Sequence, residues 1–243
     1  MRHKNSKNIL CIIPARGGSK GLKNKNIMPI MGKPLIGYTI EAALDSKLIN
    51  KIVVSTDDEK IAKVAKKYDQ QVVKRPKKYA TSTAPIEQAL RHAVEYVKIK
   101  ENYVADAVVW LQANVPIRKK GQIDKVINLL LSRKADSAVT LKVVSQYPQW
   151  MKIINKKNII SPLYPKVKEY RRQDIKSYYL LDGAIIAIKT EVLMGTKNMK
   201  GAHVYLGRKI VGVVEEEKYS IEIDNRDDYE LVKYHLNKNI CKG

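Results

Sequence analysis

Two cysteines and four histidines in 243 residues leave little room for thiol or zinc chemistry. Cys11 sits inside an apolar run and Cys241 near the end, with no C-x-x-C spacing, and His3, His92, His203 and His235 are scattered with no H-x-x-x-H pair. Neither a disulfide framework nor a zinc site is expected. Long apolar runs are missing too: no stretch approaches the roughly 18 residues that a membrane span needs. The basic start has an apolar continuation too short for a signal peptide, broken by Pro14 and running into Arg16. These absences point to a cytoplasmic protein with no membrane partner.

Acidic residues are scarce where the chain begins. None precedes Glu41, whereas Arg2, Lys4, Lys7, Arg16, Lys20, Lys23, Lys25 and Lys33 all do. The net charge of +22 suits an acidic partner, whether nucleic acid, a membrane surface or small polyanions. Lysines are spread through nearly every segment, however, and there is no arginine-rich block, aromatic-interleaved basic stripe or recognition module. A nucleic-acid partner is therefore not expected.

Within that positive field lies ILCIIPARGGSKGLKNKN, residues 9–26. Its first five residues are apolar and mostly β-branched, the look of a strand buried on both faces, and Pro14 closes the strand. In an open α/β sheet ligands bind at the C-terminal edge of such strands. Gly17, Gly18 and Gly21 let the backbone turn and approach a ligand closely, and Arg16, Lys20, Lys23 and Lys25 surround it with charge. The loop suits a polyphosphate, although it matches neither G-x-x-x-x-G-K-[ST] nor G-x-G-x-x-G. An ordinary lysine-rich surface turn has the same composition.

Beyond the loop, helical spacing over residues 32–49, 59–68, 83–98 and 120–133 alternates with apolar strands at 51–55, 71–74, 105–112 and 137–144. A capped, acidic helix start follows the second strand at Thr56-Asp57-Asp58-Glu59. This alternation predicts an α/β domain built on a three-layer, doubly wound, mostly parallel sheet. One domain is expected over residues 1–243. The regularity fails over residues 145–181, which hold three prolines, Trp150 and five tyrosines around a charged KVKEYRRQD. Aromatics among charges mark an interface, so this insertion is expected to be a dimerisation arm that makes a homodimer. Further strands are expected at 183–188, near 203–206 and at 209–214, and a helix at 227–236. Over residues 220–224 (SIEID) strict alternation predicts a strand with Glu222 and Asp224 on one side. Two such carboxylates suit Mg²⁺, which is held by one or two carboxylates plus phosphate oxygens; a polar strand face paired with lysines is the alternative.

Several stretches, taken together, carry a family resemblance. PARGGSKGLKNKN (14–26), VVSTDDEKIAKVAKKY (53–68), VVKRP (72–76), LQANVPIR (111–118), RRQD (171–174), DGAI (182–185) and SIEIDNRDDYE (220–230) resemble, in order and spacing, the motifs of the CMP-acylneuraminate synthetases. The resemblance covers nearly the whole chain. It implies a nucleotide-diphospho-sugar transferase-like fold, CTP and Mg²⁺ as ligands, and a reaction joining an acidic sugar to CMP with release of pyrophosphate. It further implies that Ala15, Arg16, Gly17, Ser19, Lys20, Lys25, Asn26, Arg75 and Ser82 bind the nucleotide. Gln112, Arg172, Gln173 and Asp182 would bind the sugar, with Arg172 and Gln173 reaching into the partner's site, and Glu222 and Asp224 would hold the metal. Arg16, Lys25 and Asp224 are the expected catalytic groups.

The departures fall on the acceptor side. Where the family reads L-Q-P-T-S-P-x-R this chain has Ala113-Asn114-Val115 after Gln112, and its Asn-Gly-Ala-Ile-Tyr is Asp182-Gly183-Ala184-Ile185-Ile186. Ser82-Thr83-Ala84 stands for Asp-Thr-Ala, and Glu222 replaces an aspartate. A pocket that loses hydroxyl partners loses strong discrimination. The acceptor is therefore expected to be a sialic-acid-like nonulosonic acid or another acidic sugar. A nucleotidyltransferase using another NTP or a sugar 1-phosphate is the alternative.

Overall fold

In the computed structural model, which describes residues 7–19, 21–166, 168 and 171–240, a seven-stranded sheet runs through the molecule in the order β11-β7-β10-β6-β1-β4-β5. Its strands are β1 (Ile9–Pro14), β4 (Lys51–Thr56), β5 (Gln71–Lys74), β6 (Ala107–Leu111), β7 (Ser137–Val143), β10 (Tyr179–Lys189) and β11 (Ile210–Glu215). All neighbours pair in parallel except β10, which runs antiparallel between β6 and β7. Ile12 of β1 lies between Val53 and Trp110, so the first strand is central and covered on both faces, as its unbroken apolar sequence requires.

Helices close both faces. α1 (Leu35–Leu44), α2 (Glu59–Lys67) and α4 (Gln122–Ser132) pack on one side, where Ile36, Ile40, Ile61 and Ile127 meet Cys11 and Ile13. α3 (Ile86–Glu101) and the short α5 (Thr190–Gly195) pack on the other, where Leu90, Val97 and Leu193 meet Leu10 and Ile12. Each such fully buried aliphatic side chain contributes roughly 1.5–3 kcal/mol. Asp58 caps α2, its Oδ1 accepting from the N–H groups of Lys60 and Ile61 at 2.7 and 3.0 Å. The last helix, α6 (Arg226–Ile240), returns along the side of the sheet where Val232 meets Ile30, Leu35 and Ile223. The three-layer, mostly parallel plan is the expected one.

Some local expectations change. The helix expected over 32–49 is shorter, because β2 (Pro29–Ile30) and β3 (Lys33–Pro34) form a tiny hairpin before it, turning at Met31 and Gly32 with φ of 49° and 78°. Residues 203–206 contain a 3-10 turn, Val204–Leu206, instead of a strand. Residues 220–224 form no strand: the segment has no ladder partner, so alternation alone did not make a sheet. In the insertion, β8 (Lys152–Ile154) and β9 (Ile160–Pro162) pair as an exposed antiparallel hairpin, and β10 starts within the stretch expected to be irregular.

Candidate active site

The glycine loop leaves β1 at the C-terminal edge of the parallel strands and is fastened there before it turns. The N–H of Ala15 donates to the Ser55 carbonyl at 2.9 Å, and the N–H of Gly17 donates to Asp57 Oδ1 at 2.9 Å. Buried Asn26 reaches back, its Nδ2 donating to the Arg16 carbonyl at 3.1 Å. The loop is thereby closed on itself, with Arg16, Ser19 and Lys25 facing a cavity of about 710 Å³.

Beside the loop, the segment 220–224 forms a further wall of that cavity. Ile223 is fully buried, and its N–H donates to the Asn114 carbonyl at 2.9 Å. Pinned there, the segment turns Glu222 and Asp224 into the cavity wall. Burial, and then the neighbouring Asp224 carboxylate, push the Glu222 carboxyl above its ordinary value. Lys25 Nζ donates to Asp224 Oδ1 at 2.6 Å, and Asn114 Nδ2 donates to the same oxygen at 3.3 Å. Lys25 thus neutralises one of two adjacent carboxylates and would have to give up this bond to a divalent ion placed on the same oxygen. Among the described residues no cluster of three or more His, Cys, Asp or Glu side chains forms a metal cage. Mg²⁺ does not need one, since it completes its shell with phosphate oxygens and water.

The remaining walls come from the ends of β5 and β6. Arg75 is buried, with Nε donating to Ser55 Oγ at 3.1 Å and Nη2 to the Ser55 carbonyl at 2.7 Å. Burial lowers its pKa to about 10, which leaves it charged at neutral pH. Gln112 lies against Gly183, where φ is +67° and a Cβ would stand 2.3 Å from Gln112 Nε2. Arg118, partly buried, donates through Nη2 to the carbonyls of Gln112 and Ala184 at 2.8 and 3.1 Å. It holds the turn that carries Gln112 and Asn114.

Of the residues singled out in the sequence, Arg16, Ser19, Lys25, Asn26, Arg75, Gln112, Glu222 and Asp224 meet in this one cavity. Ala15 is buried beneath the loop, and Gly17 lines a small cleft behind it with Asp58. Lys20 lies outside the described residues. Ser82 is exposed in the turn before α3 and does not line the cavity. Arg172 and Gln173 sit in the exposed arm, where Arg172 Nε donates to Tyr147 Oη at 3.0 Å; neither lines the cavity of its own chain. Asp182 is also outside it, buried beneath the wall with both oxygens engaged by Thr140, Ala184 and Ser220. A carboxylate so enclosed presents no oxygen to a sugar. The sequence reading missed Asn114, Ile86 and Trp110 as cavity residues. Asn114, two places beyond Gln112, was legible as part of the same stretch, whereas Ile86 and Trp110 have the spacing of core positions.

Residues 10–210 match the family described as cytidylyltransferase. The chain is 31% identical over 224 residues to the N-acylneuraminate cytidylyltransferase of Escherichia coli O18:K1:H7, covering 92% of this chain and 51% of that protein. It is 36% identical over 181 residues to the pseudaminic acid cytidylyltransferase of Campylobacter jejuni serotype O:23/36, covering 72% and 75%. The chain thus spans about half the length of the N-acylneuraminate cytidylyltransferases it matches. In fold it is similar to CMP:2-keto-3-deoxy-manno-octonic acid synthetase, solved in complex with CTP, with a TM-score of 0.71 at 18% identity over 96% of this chain and 99% of that one. A seven-stranded sheet with a glycine loop at its C-terminal edge, and a sequence matching over most of its length, place the chain in the cytidylyltransferase family.

Proposed function

We propose that the protein joins CTP to an acidic sugar of the nonulosonic acid class, giving the CMP-sugar and pyrophosphate. The observation that carries this reading is the cavity, with Arg16, Lys25 and Arg75 among its cations and Glu222 and Asp224 facing them. In the reaction the acceptor's hydroxyl oxygen bonds to the α-phosphorus, the bond to the bridging oxygen breaks, the hydroxyl proton is released and pyrophosphate leaves. Such transfers depend on positioning and on countering charge at the phosphates, so fixed cations carry much of the catalysis and no His or Cys base is required. Arg16 and Lys25, at the ends of the closed loop, would act on the triphosphate, with Ser19 and Asn26 beside them.

Glu222 and Asp224 would hold Mg²⁺. That ion supplies counter-charge to phosphate oxygens and lowers the pKa of an oxygen bound to it. The two carboxylates fit it because they adjoin each other at one cavity wall and offer hard oxygen donors. Gln112, held by Gly183 and Arg118, is the polar group facing the acceptor, and Ile86 and Trp110 give the cavity an apolar side. The relatives' acceptors, N-acylneuraminate and pseudaminic acid, support a nonulosonic acid here.

The arm completes the reading. Trp150, Ile153, Ile154, Ile159, Ile160 and Leu163 are exposed around the β8–β9 hairpin, an apolar surface suited to a second copy of the chain. A homodimer built there would bring Arg172 and Gln173 to the neighbouring cavity. No helix of the described residues is long and apolar enough to cross a membrane, and a CTP-dependent reaction suits the cytoplasm. The test is a pyrophosphate-release screen of the four NTPs against several nonulosonic acids and sugar 1-phosphates. Turnover confined to CTP with a nonulosonic acid is the expected result; turnover with another NTP or a sugar phosphate alone would overturn it.

A further inference from the structure

The segment that carries Glu222 and Asp224 belongs to no sheet, so no ladder of backbone hydrogen bonds fixes it. What holds it are individual pins. At its far end Ile223 is bonded to Asn114, and Lys25, Asn114 and Asp228 meet Asp224. At its near end Ser220 is held twice: its N–H donates to the Glu217 carbonyl at 2.9 Å within the local turn, and its Oγ, the tether to the sheet, donates to Asp182 Oδ2 at 2.7 Å, with Ser220 2% and Asp182 1% exposed.

Asp182 is itself firmly set. Its Oδ1 accepts from Thr140 Oγ1 and, at 3.0 Å, from the N–H of Ala184. The carbonyl of that same Ala184 residue accepts from Arg118, which also grips the Gln112 carbonyl. Asp182 stands where the register of β10 against β7 shifts, between Leu181 and Ile186, and its side chain is buried there. One bulge therefore makes room for Gln112 at Gly183 and holds Ser220 through Asp182.

From this arrangement we infer that Asp182 is a positioning residue for the metal carboxylates: through Ser220 it fixes the segment from which Glu222 and Asp224 project. The inference rests on the reading of that pair as the Mg²⁺ site. It replaces the sugar contact that the motif suggested for Asp182. A charge-assisted bond between two buried groups is among the stronger tethers available, and groups that orient metal ligands govern affinity without touching the metal.

The experiment measures Mn²⁺ binding by electron paramagnetic resonance, CTP binding in EDTA by calorimetry, and thermal unfolding. Ser220→Ala is expected to weaken Mn²⁺ binding by about 10–100-fold and to leave CTP binding in EDTA unchanged. Asp182→Asn keeps the tether in reverse, its amide donating to Ser220 Oγ, and is expected to retain Mn²⁺ affinity. Asp182→Ala is expected to match Ser220→Ala, and the two together to be no worse than either, as for partners in one bond. Wild-type Mn²⁺ affinity in Ser220→Ala, or additive losses in the double variant, would overturn the inference. If the wild-type protein binds no Mn²⁺, the metal reading fails. Amide exchange at Ile223 and Asp224 then decides the tether: faster exchange in Ser220→Ala supports it and unchanged exchange overturns it.

Discussion

Gly21 lies against the main-chain carbonyl of Asp224, so closely that a Cβ built on it would stand 2.2 Å from the oxygen. The first loop and the last acidic segment, about two hundred residues apart, are thus in direct backbone contact. Backbone cannot give way as a flexible side chain does. Gly21→Ala is therefore expected to push the loop off the segment and separate Arg16 and Lys25 from Glu222 and Asp224. Displacement of about 1 Å at a reacting centre costs on the order of a hundredfold in rate. We expect that loss in kcat/KM for CTP with nearly unchanged thermal unfolding; a variant with wild-type kcat/KM would mean that the contact has no bearing on turnover.

Arg16 is the cation most directly tied to the loop's shape, since its carbonyl is held by Asn26 and its side chain lines the cavity. Removing one charge-stabilising group from a preorganised site costs roughly 10²–10³ in kcat. Arg16→Ala is expected to lose at least that much pyrophosphate release while its circular dichroism and melting temperature stay close to wild type. Full activity in this variant would remove the loop from the reaction.

The Lys25–Asp224 pair separates catalysis from stability. The carboxylate is 64% exposed on its side-chain surface, and pairs of this kind stabilise a fold by about 1 kcal/mol or less. Asp224→Asn is thus expected to leave the melting temperature within a few degrees while lowering turnover at saturating Mg²⁺ by orders of magnitude. An unchanged metal dependence would return Glu222 and Asp224 to the role of an acidic surface paired with lysines.

Much of this was legible in the sequence, and for physical reasons. Unbroken apolar runs such as residues 9–13 are intelligible only as strands covered on both faces, which fixes the parallel sheet and puts the glycine loop at its edge. Eight of the predicted site residues consequently converge. Asp182 lies outside the cavity, buried at the register shift beside Gly183, because a motif gives a residue's order along the chain and not its depth. Glu222 and Asp224 line one cavity, but not as alternate positions of a strand, since residues 220–224 join no sheet. Arg172 and Gln173 lie in the arm, outside the cavity of their own chain.

The hairpin of the arm offers a direct test of the proposed homodimer. Ile154 and Ile160 are cross-strand partners, 62% and 64% exposed, and together they form an exposed apolar face. Their burial at an interface would be worth roughly 1.5–3 kcal/mol each. Ile154→Asp combined with Ile160→Asp is expected to give a monomer in sedimentation velocity, folded but deficient in turnover. A double variant that sediments with the wild type would exclude the hairpin from the interface.

Cys11 provides a check on the core beneath the site. It is fully buried in β1, and burial raises its thiol from 9.0 to about 12, against a smaller lowering from Arg118. The folded state therefore holds the proton more tightly than the unfolded state does. Below about pH 9 both states keep it and stability is undiminished on this account; as pH rises from there toward 12, the unfolded thiol ionises first and stability falls. Since the thiolate is the nucleophile, native Cys11 is expected to resist iodoacetamide at pH 8.5 and to react fully once guanidinium unfolds the chain, as read by peptide mapping. Labelling of the native protein at the unfolded rate would mean that β1 opens to solvent, and with it the floor on which the glycine loop rests.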